Sequence, residues 1–141
     1  MVQSDQPIKT FTWPIRVYYE DTDAGGVVFY ANYLKFFERA RTEMLRAQGH
    51  EQDVLIAEFG VIFVVRSVQV EYLKPARFND MLLASAKVTE AKKASLVFEQ
   101  EIMRGDEVLC KGTIRIACLD ADAMTPKAIP QHLLKPLKHE H

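Results

Sequence analysis

The sequence predicts an α+β domain in which one antiparallel sheet carries a single long helix on one face. Three observations lead there. Tyr33, Phe36, Phe37, Ala40, Met44 and Ala47 fall at helical spacing, with charged residues filling the other side. After residue 60 the apolar period drops to two and holds to about residue 119. Between those strands lie mostly short turns, as in hairpins, rather than further helices.

Taken in order, residues 1–10 are polar and are expected to be loose. Phe11 to Tyr19 reads as a strand rich in aromatic and β-branched residues, and Pro14 makes its early part either a sheet edge or an entry segment. Glu20 to Gly26 is a turn-rich, acidic loop. The helix is expected over about 32–48, with Asn32 as N-cap, Gly49 just past its end, and Arg39–Glu43 as an i,i+4 pair. His50 follows, where a positive charge would suit the helix dipole. Glu51 to Phe59 suggests a further short helix. Val61 to Val65 reads as a buried strand continuing through Val68, Val70 and Tyr72. Lys74 to Asp80 forms a turn. The next strands place Leu82, Ala84, Ala86 and Val88, then Leu96, Phe98 and Ile102, on one face. Arg104 to Glu107 is a hairpin turn before the last strand, which carries Val108, Cys110, Ile114, Ile116 and Cys118. Residues 121–141 hold Pro126, Pro130 and Pro136 and read as irregular. The expected organisation is one domain over 11–130, with a C-terminal tail at 131–141.

Composition excludes several function classes. Hydrophobic residues are 48% and charged residues 26% of 141, so the chain is neither disordered nor supercharged. A net charge of −1 gives no field to attract nucleic acid. The longest run of apolar residues plus Gly is Ala24 to Ala31, less than half of the roughly 18 needed to span a bilayer. No secretory signal is expected, since the N-terminus lacks an apolar core. Cys110 and Cys118 on one strand would lie roughly 26 Å apart and cannot pair, which favours a reduced, cytosolic chain.

The candidate chemistry sits mainly in the acidic loop. Glu20, Asp21 and Asp23 crowd four positions beside apolar Val27, Val28, Phe29 and Tyr30. One reading is turn chemistry, which Asp favours. The other is a carboxylate acting as general base or nucleophile, beside a helix start whose free N–H groups would polarise a carbonyl. DTDAGG begins like a calcium loop, but Gly25 and Asn32 stand where ligands five and twelve belong, so no metal is expected. No serine, cysteine or histidine arrangement suggests a nucleophilic triad, and no Gly-rich phosphate motif is present. Three of the four histidines lie in the last ten residues and read as a solvated tail. Lys74 and Arg77, Lys92 and Lys93, and Lys127 flank turns. They are either solvated turn residues or a rim for an anionic ligand.

The stretch from Arg16 to Tyr33, RVYYEDTDAGGVVFYANY, resembles the signature of the 4-hydroxybenzoyl-CoA thioesterase family, which has the hotdog fold. Its continuation Phe36 to Arg46, with Phe63 to Arg66 and Glu71 to Ala76, is similar to the YbgC branch, acyl-CoA thioesterases associated with the Tol-Pal system of Gram-negative bacteria. The likeness covers about residues 11 to 130. It implies a sheet wrapped round the long helix, joined edge to edge in dimers that commonly pair into tetramers, with sites at the dimer interface. It implies Asp23 as catalytic carboxylate, Tyr30 as the residue whose backbone N–H polarises the thioester carbonyl, and Lys92, Lys93 and Lys127 as contacts to CoA phosphates. Many members of that branch have His at the position of Tyr30, and one subfamily has a basic residue at that of Ala94. The implied activity is hydrolysis of acyl-CoA without a cofactor, in the cytoplasm, free or peripheral to the inner membrane. The carrier, CoA or acyl carrier protein, stays open. The rival readings are a non-catalytic hotdog interaction module of the Tol-Pal system and a hotdog dehydratase. The present Asp23 disfavours the first, and the absence of His from the helix disfavours the second.

Overall fold

A computed structural model describes residues 10–138. The first nine residues, expected to be loose, and the last three, with His139 and His141, lie outside that range. The chain forms β1 (Phe11–Arg16), a 3₁₀ turn (Tyr19–Asp21), α1 (Asn32–Ala47), α2 (Gln52–Phe59), β2 (Val61–Tyr72), β3 (Met81–Lys92), β4 (Ser95–Arg104), β5 (Glu107–Asp120) and α3 (Gln131–Lys138). The strands make one sheet in the order β1-β3-β4-β5-β2, with every neighbouring pair antiparallel.

The helical stripe decides how α1 packs. Tyr33, Phe36, Phe37, Ala40 and Met44 are buried against the sheet, joined by Leu45, while Ala47 is exposed at the helix end. The sheet side of this contact is the expected alternation: Leu82, Ala84, Ala86 and Val88 on β3, and Leu96, Phe98 and Ile102 on β4, are all 2% exposed or less. Gly112 admits the helix, because a Cβ there would sit 2.8 Å from the Phe37 ring. Gln100 is a polar member of the same β4 face that periodicity alone passes over. It is 1% exposed; its Nε2 donates to the carbonyls of Phe37 and Ser85, and its Oε1 accepts from Arg41. This ties α1 to β3 and β4 with every buried partner satisfied. The sheet thus wraps round α1, as the hotdog resemblance implies.

Several local expectations change. Asn32 is not the N-cap: Ala31 occupies that position with helical backbone angles and no side-chain cap. Glu43 pairs with Arg46 at 2.6 Å rather than with Arg39. Gly49, at φ +89°, does end α1. Its N–H donates to Arg46 O and that of His50 to Leu45 O, the Schellman pattern. The run Val61 to Val65 is buried only at Val61, because β2 is an edge strand; Val65 and Val68 are 48% and 42% exposed. β1 lies at the opposite edge, the first of the two places that Pro14 left open.

The C-terminal segment, irregular by its prolines, contains α3. Leu133, Leu134 and Leu137 are buried in the main core. His132 is exposed, as a tail residue would be, but it sits on α3 with its ring 4.9 Å from that of His50 and 4.8 Å from that of Phe59. Burial, then the neighbouring His132, holds the His50 pKa below its ordinary 6.5, so its charge is disfavoured rather than recruited by the helix end. The unfolded chain takes up this proton at a higher pH than the folded one does. Stability is therefore present above 6.5 and is lost as pH falls from there through the lowered folded value. The melting temperature is expected to fall between neutral pH and about pH 5, and His50→Gln to make that fall shallower. A slope unchanged by the substitution would contradict this.

Candidate active site

The acidic loop is a small hairpin that feeds directly into α1. Thr22 bridges Val28, and the Asp23 N–H donates to Val27 O at 2.9 Å. Gly26 turns the tip at φ +80°. A bridge from Val27 to Arg77 and a bond from the Val28 N–H to Ala76 O at 2.8 Å fasten the hairpin to the segment before β3.

Both aspartates do turn chemistry, and they do it differently. Asp21 is 7% exposed; its Oδ2 accepts the Tyr18 N–H at 2.8 Å, and its carbonyl accepts the Phe29 N–H at 3.0 Å. Asp23 is exposed, and its Oδ1 accepts the Gly25 N–H at 2.8 Å. That Asx turn fixes the carboxylate, while Oδ2 has no partner among the described residues. The same loop therefore holds one carboxylate used up by the fold and one with an oxygen to offer.

The start of α1 adds donors. Among the described residues, the Tyr30 and Ala31 N–H groups donate to no backbone or side-chain acceptor. Such groups at a helix start also sit at the positive end of the helix dipole. The Tyr30 side chain is 64% exposed and lies against Phe29 and Tyr72, with ring centroids 4.8 and 6.1 Å away. Tyr72, at the end of β2, also meets Tyr33 at 5.5 Å. It is a site neighbour that spacing did not single out. The sequence carried a signal for it only as part of the Glu71 to Ala76 likeness.

The lysines stand elsewhere. Lys92 ends β3 and Lys93 opens the β3–β4 turn with Ala94, and the Ile129 N–H donates to Lys93 O at 2.8 Å, which brings the Lys127 segment alongside. Lys92 is exposed and its Nζ lies 3.5 Å from Glu90. The Lys127 Nζ donates to Phe59 O at 3.1 Å, at the end of α2, and lies 3.5 Å from Asp120, so part of its role is to hold that corner. The Asp23 hairpin sits by Met81, where β3 begins, and the lysine cluster by Lys92, where it ends. At about 3.3 Å per residue, those ends are roughly 35 Å apart. Within one chain the two halves of the expected site are not brought together.

Other nucleophiles are weak. Cys110 and Cys118 are both buried, and burial pushes their thiols up to about 12 and about 11, so neither is a thiolate at neutral pH. A cavity of about 130 Å³ opens between α1 and the sheet, lined by Leu45, Phe63, Val65, Leu96, Phe98 and Ile116, with Arg41 among its polar lining. Arg41 stands nine residues along α1 from Asn32, roughly 14 Å at 1.5 Å per residue.

Comparison with known proteins agrees with this geometry. The family model of the thioesterase superfamily matches residues 25–111. An acyl-CoA thioesterase, YbgC, of Haemophilus influenzae is 45% identical over 129 residues, covering 92% of this chain and 95% of the relative. An acyl-CoA thioester hydrolase, YbgC, of Escherichia coli is 47% identical, covering 91% and 96%. A crystal structure of a probable thioesterase from Bartonella henselae superposes with a TM-score of 0.83 at 32% identity, covering 86% of this chain and all of that one. With the helix-wrapped sheet, these matches establish that the chain belongs to the thioesterase superfamily and has its hotdog fold.

Proposed function

We propose that this chain hydrolyses acyl-CoA thioesters to free acid and CoA. The observation that carries the reading is a short hairpin that pins the Asp23 carboxylate with one oxygen free and leads directly into the start of α1, where the Tyr30 N–H has no partner among the described residues. The Tyr30 N–H bonds the thioester oxygen and stabilises the negative charge that develops there. Asp23 either attacks the carbonyl carbon or takes a proton from an attacking water. By the first route an aspartyl anhydride forms, the C–S bond breaks, CoA leaves and water hydrolyses the anhydride. By the second, the acid and CoA form in one addition–elimination. The acyl group enters the slot beside α1.

The CoA phosphates bind Lys92 and Lys93, with Lys127, and these lysines come from a second chain. A two-fold axis across the β2 edge would pair that strand antiparallel with its copy and set the Val61 end of one chain against the Tyr72 end of the other. This brings the lysines of one protomer to the Asp23 hairpin of its partner and covers the exposed Val65 and Val68. Such dimers would pair into tetramers, as the family resemblance suggests. That resemblance also supports a cytoplasmic place, free or at the inner membrane, in association with the Tol-Pal system, and CoA or acyl carrier protein as carrier. No helix among the described residues is long and apolar enough to cross a membrane.

The test is thiol release by the purified chain from acyl-CoAs of differing chain length and aromaticity. Saturable release is expected. Hydration of an enoyl-CoA without thiol release would favour the dehydratase reading instead. Lys92→Ala/Lys93→Ala is expected to raise KM by about tenfold with little change in kcat, because phosphate contacts remote from the thioester bind ground and transition states alike. Equal losses on short thioesters lacking the nucleotide would contradict that role. Lys127→Ala should raise KM as well, and it should also lower the melting temperature because its Nζ supports the end of α2.

A further inference from the structure

Three hydrogen bonds surround the peptide that carries the Tyr30 N–H, one of them on that peptide itself, and Asn32 makes two of the three. Its backbone N–H donates to the Phe29 carbonyl at 2.8 Å. Its side-chain Nδ2 donates to the Asp21 carbonyl at 2.9 Å. That carbonyl also accepts the Phe29 N–H at 3.0 Å. Phe29 is thus anchored at both its N–H and its C=O, and both anchors lead back to Asn32. The Phe29–Tyr30 peptide is planar and trans, so its N–H points opposite to its C=O. With the carbonyl drawn into the helix by the Asn32 N–H, the Tyr30 N–H is aimed out of the helix end.

The half-buried Asn32 side chain is not spent on the helix itself. Ala31 occupies the cap position, and the Asn32 amide reaches back eleven residues to the loop. The far end of that bond is itself held, since the Asp21 carboxylate accepts the Tyr18 N–H. The brace therefore ties the loop to the first residue of the helix, with the donor peptide between the two ties.

We infer that Asn32 is a positioning residue for the reaction: its side-chain amide, acting through the Asp21 carbonyl and Phe29, aims the Tyr30 N–H at the thioester oxygen. This rests on the reading of that N–H as the oxyanion donor. Loss of one such donor costs about 10² to 10³ in kcat, and a misaimed donor keeps part of its effect.

The experiment uses Asn32→Ala and Asn32→Asp, the second nearly isosteric but unable to donate to a carbonyl at neutral pH. Both are expected to lower kcat for acyl-CoA by about 10- to 100-fold with KM within about twofold. Two substrate analogues then separate aiming from bracing. An acyl-CoA trifluoromethyl ketone, which becomes an oxyanion mimic on addition, should bind each variant about tenfold more weakly, while a CoA thioether without a carbonyl should bind both as it binds the wild type. Unchanged kcat, or equal losses for the two analogues, would overturn the assignment of Asn32. If Asn32→Ala folds poorly, the isosteric Asn32→Asp carries the same comparison. If the wild type itself fails to prefer the ketone to the thioether, the reading of the Tyr30 N–H fails, and this inference with it. If it does prefer the ketone and the variants keep that preference, only the role of Asn32 fails.

Discussion

Asp23→Asn is expected to abolish turnover while leaving the fold and acyl-CoA binding in place. The asparagine Oδ1 can still accept the Gly25 N–H, so the Asx turn and the hairpin survive. The amide nitrogen that replaces Oδ2 can neither attack a carbonyl nor take a proton from water at neutral pH. Losing a general base costs about 10² to 10⁴ in kcat, and losing a nucleophile costs more. Asp21→Asn is the matched control. Its carboxylate serves the Tyr18 N–H, a bond that asparagine oxygen can replace, so kcat should fall far less. The measurement is kcat for both variants beside their melting temperatures. Near wild-type turnover in Asp23→Asn, or a dead Asp21→Asn, would show that the wrong carboxylate has been assigned.

Leu133→Ala/Leu137→Ala is expected to be the most destabilising of the substitutions considered. Both side chains are fully buried on α3 and belong to the core that also holds Phe36 and Phe37. Each truncation costs about 2–5 kcal/mol, against a total stability of about 5–15 kcal/mol for a domain. A fall in melting temperature of more than about 10 °C follows. A solvated tail would give a shift of no more than about 2 °C, so thermal unfolding of this double variant separates the two descriptions of the C-terminus.

The contrast shows where the chain was legible. α1 could be read because its apolar residues recur over four turns, and β3 and β4 because apolar residues alternate over Leu82–Val88 and, with Gln100 as the one polar interruption, over Leu96–Ile102. The α3 segment hid behind Pro126, Pro130 and Pro136, although Pro130 only precedes the helix, where its O accepts from Leu133 and Leu134. β2 was apolar enough to look buried, but an edge strand leaves half of such a run uncovered in one chain. His50 and His132 lie 82 positions apart, and nothing local announces that they touch. In the acidic loop the two readings of the aspartates proved compatible: turn chemistry consumes Asp21 and only half of Asp23. Asn32 suited a cap by residue type, but its amide found a better acceptor in the loop. The separation of hairpin and lysines by the length of β3 was invisible until strand register fixed which end each occupies.

That separation makes the central claim testable: each site takes its carboxylate from one chain and its lysines from another. Asp23→Asn chains and Lys92→Ala/Lys93→Ala chains, co-expressed with different tags and purified as mixed dimers, pair the two defects in one site and leave the other site wild type. At acyl-CoA concentrations far below KM, the mixed dimer should recover about half of the wild-type rate, well above either parent. A rate no higher than the average of the two parents would contradict a site shared between chains.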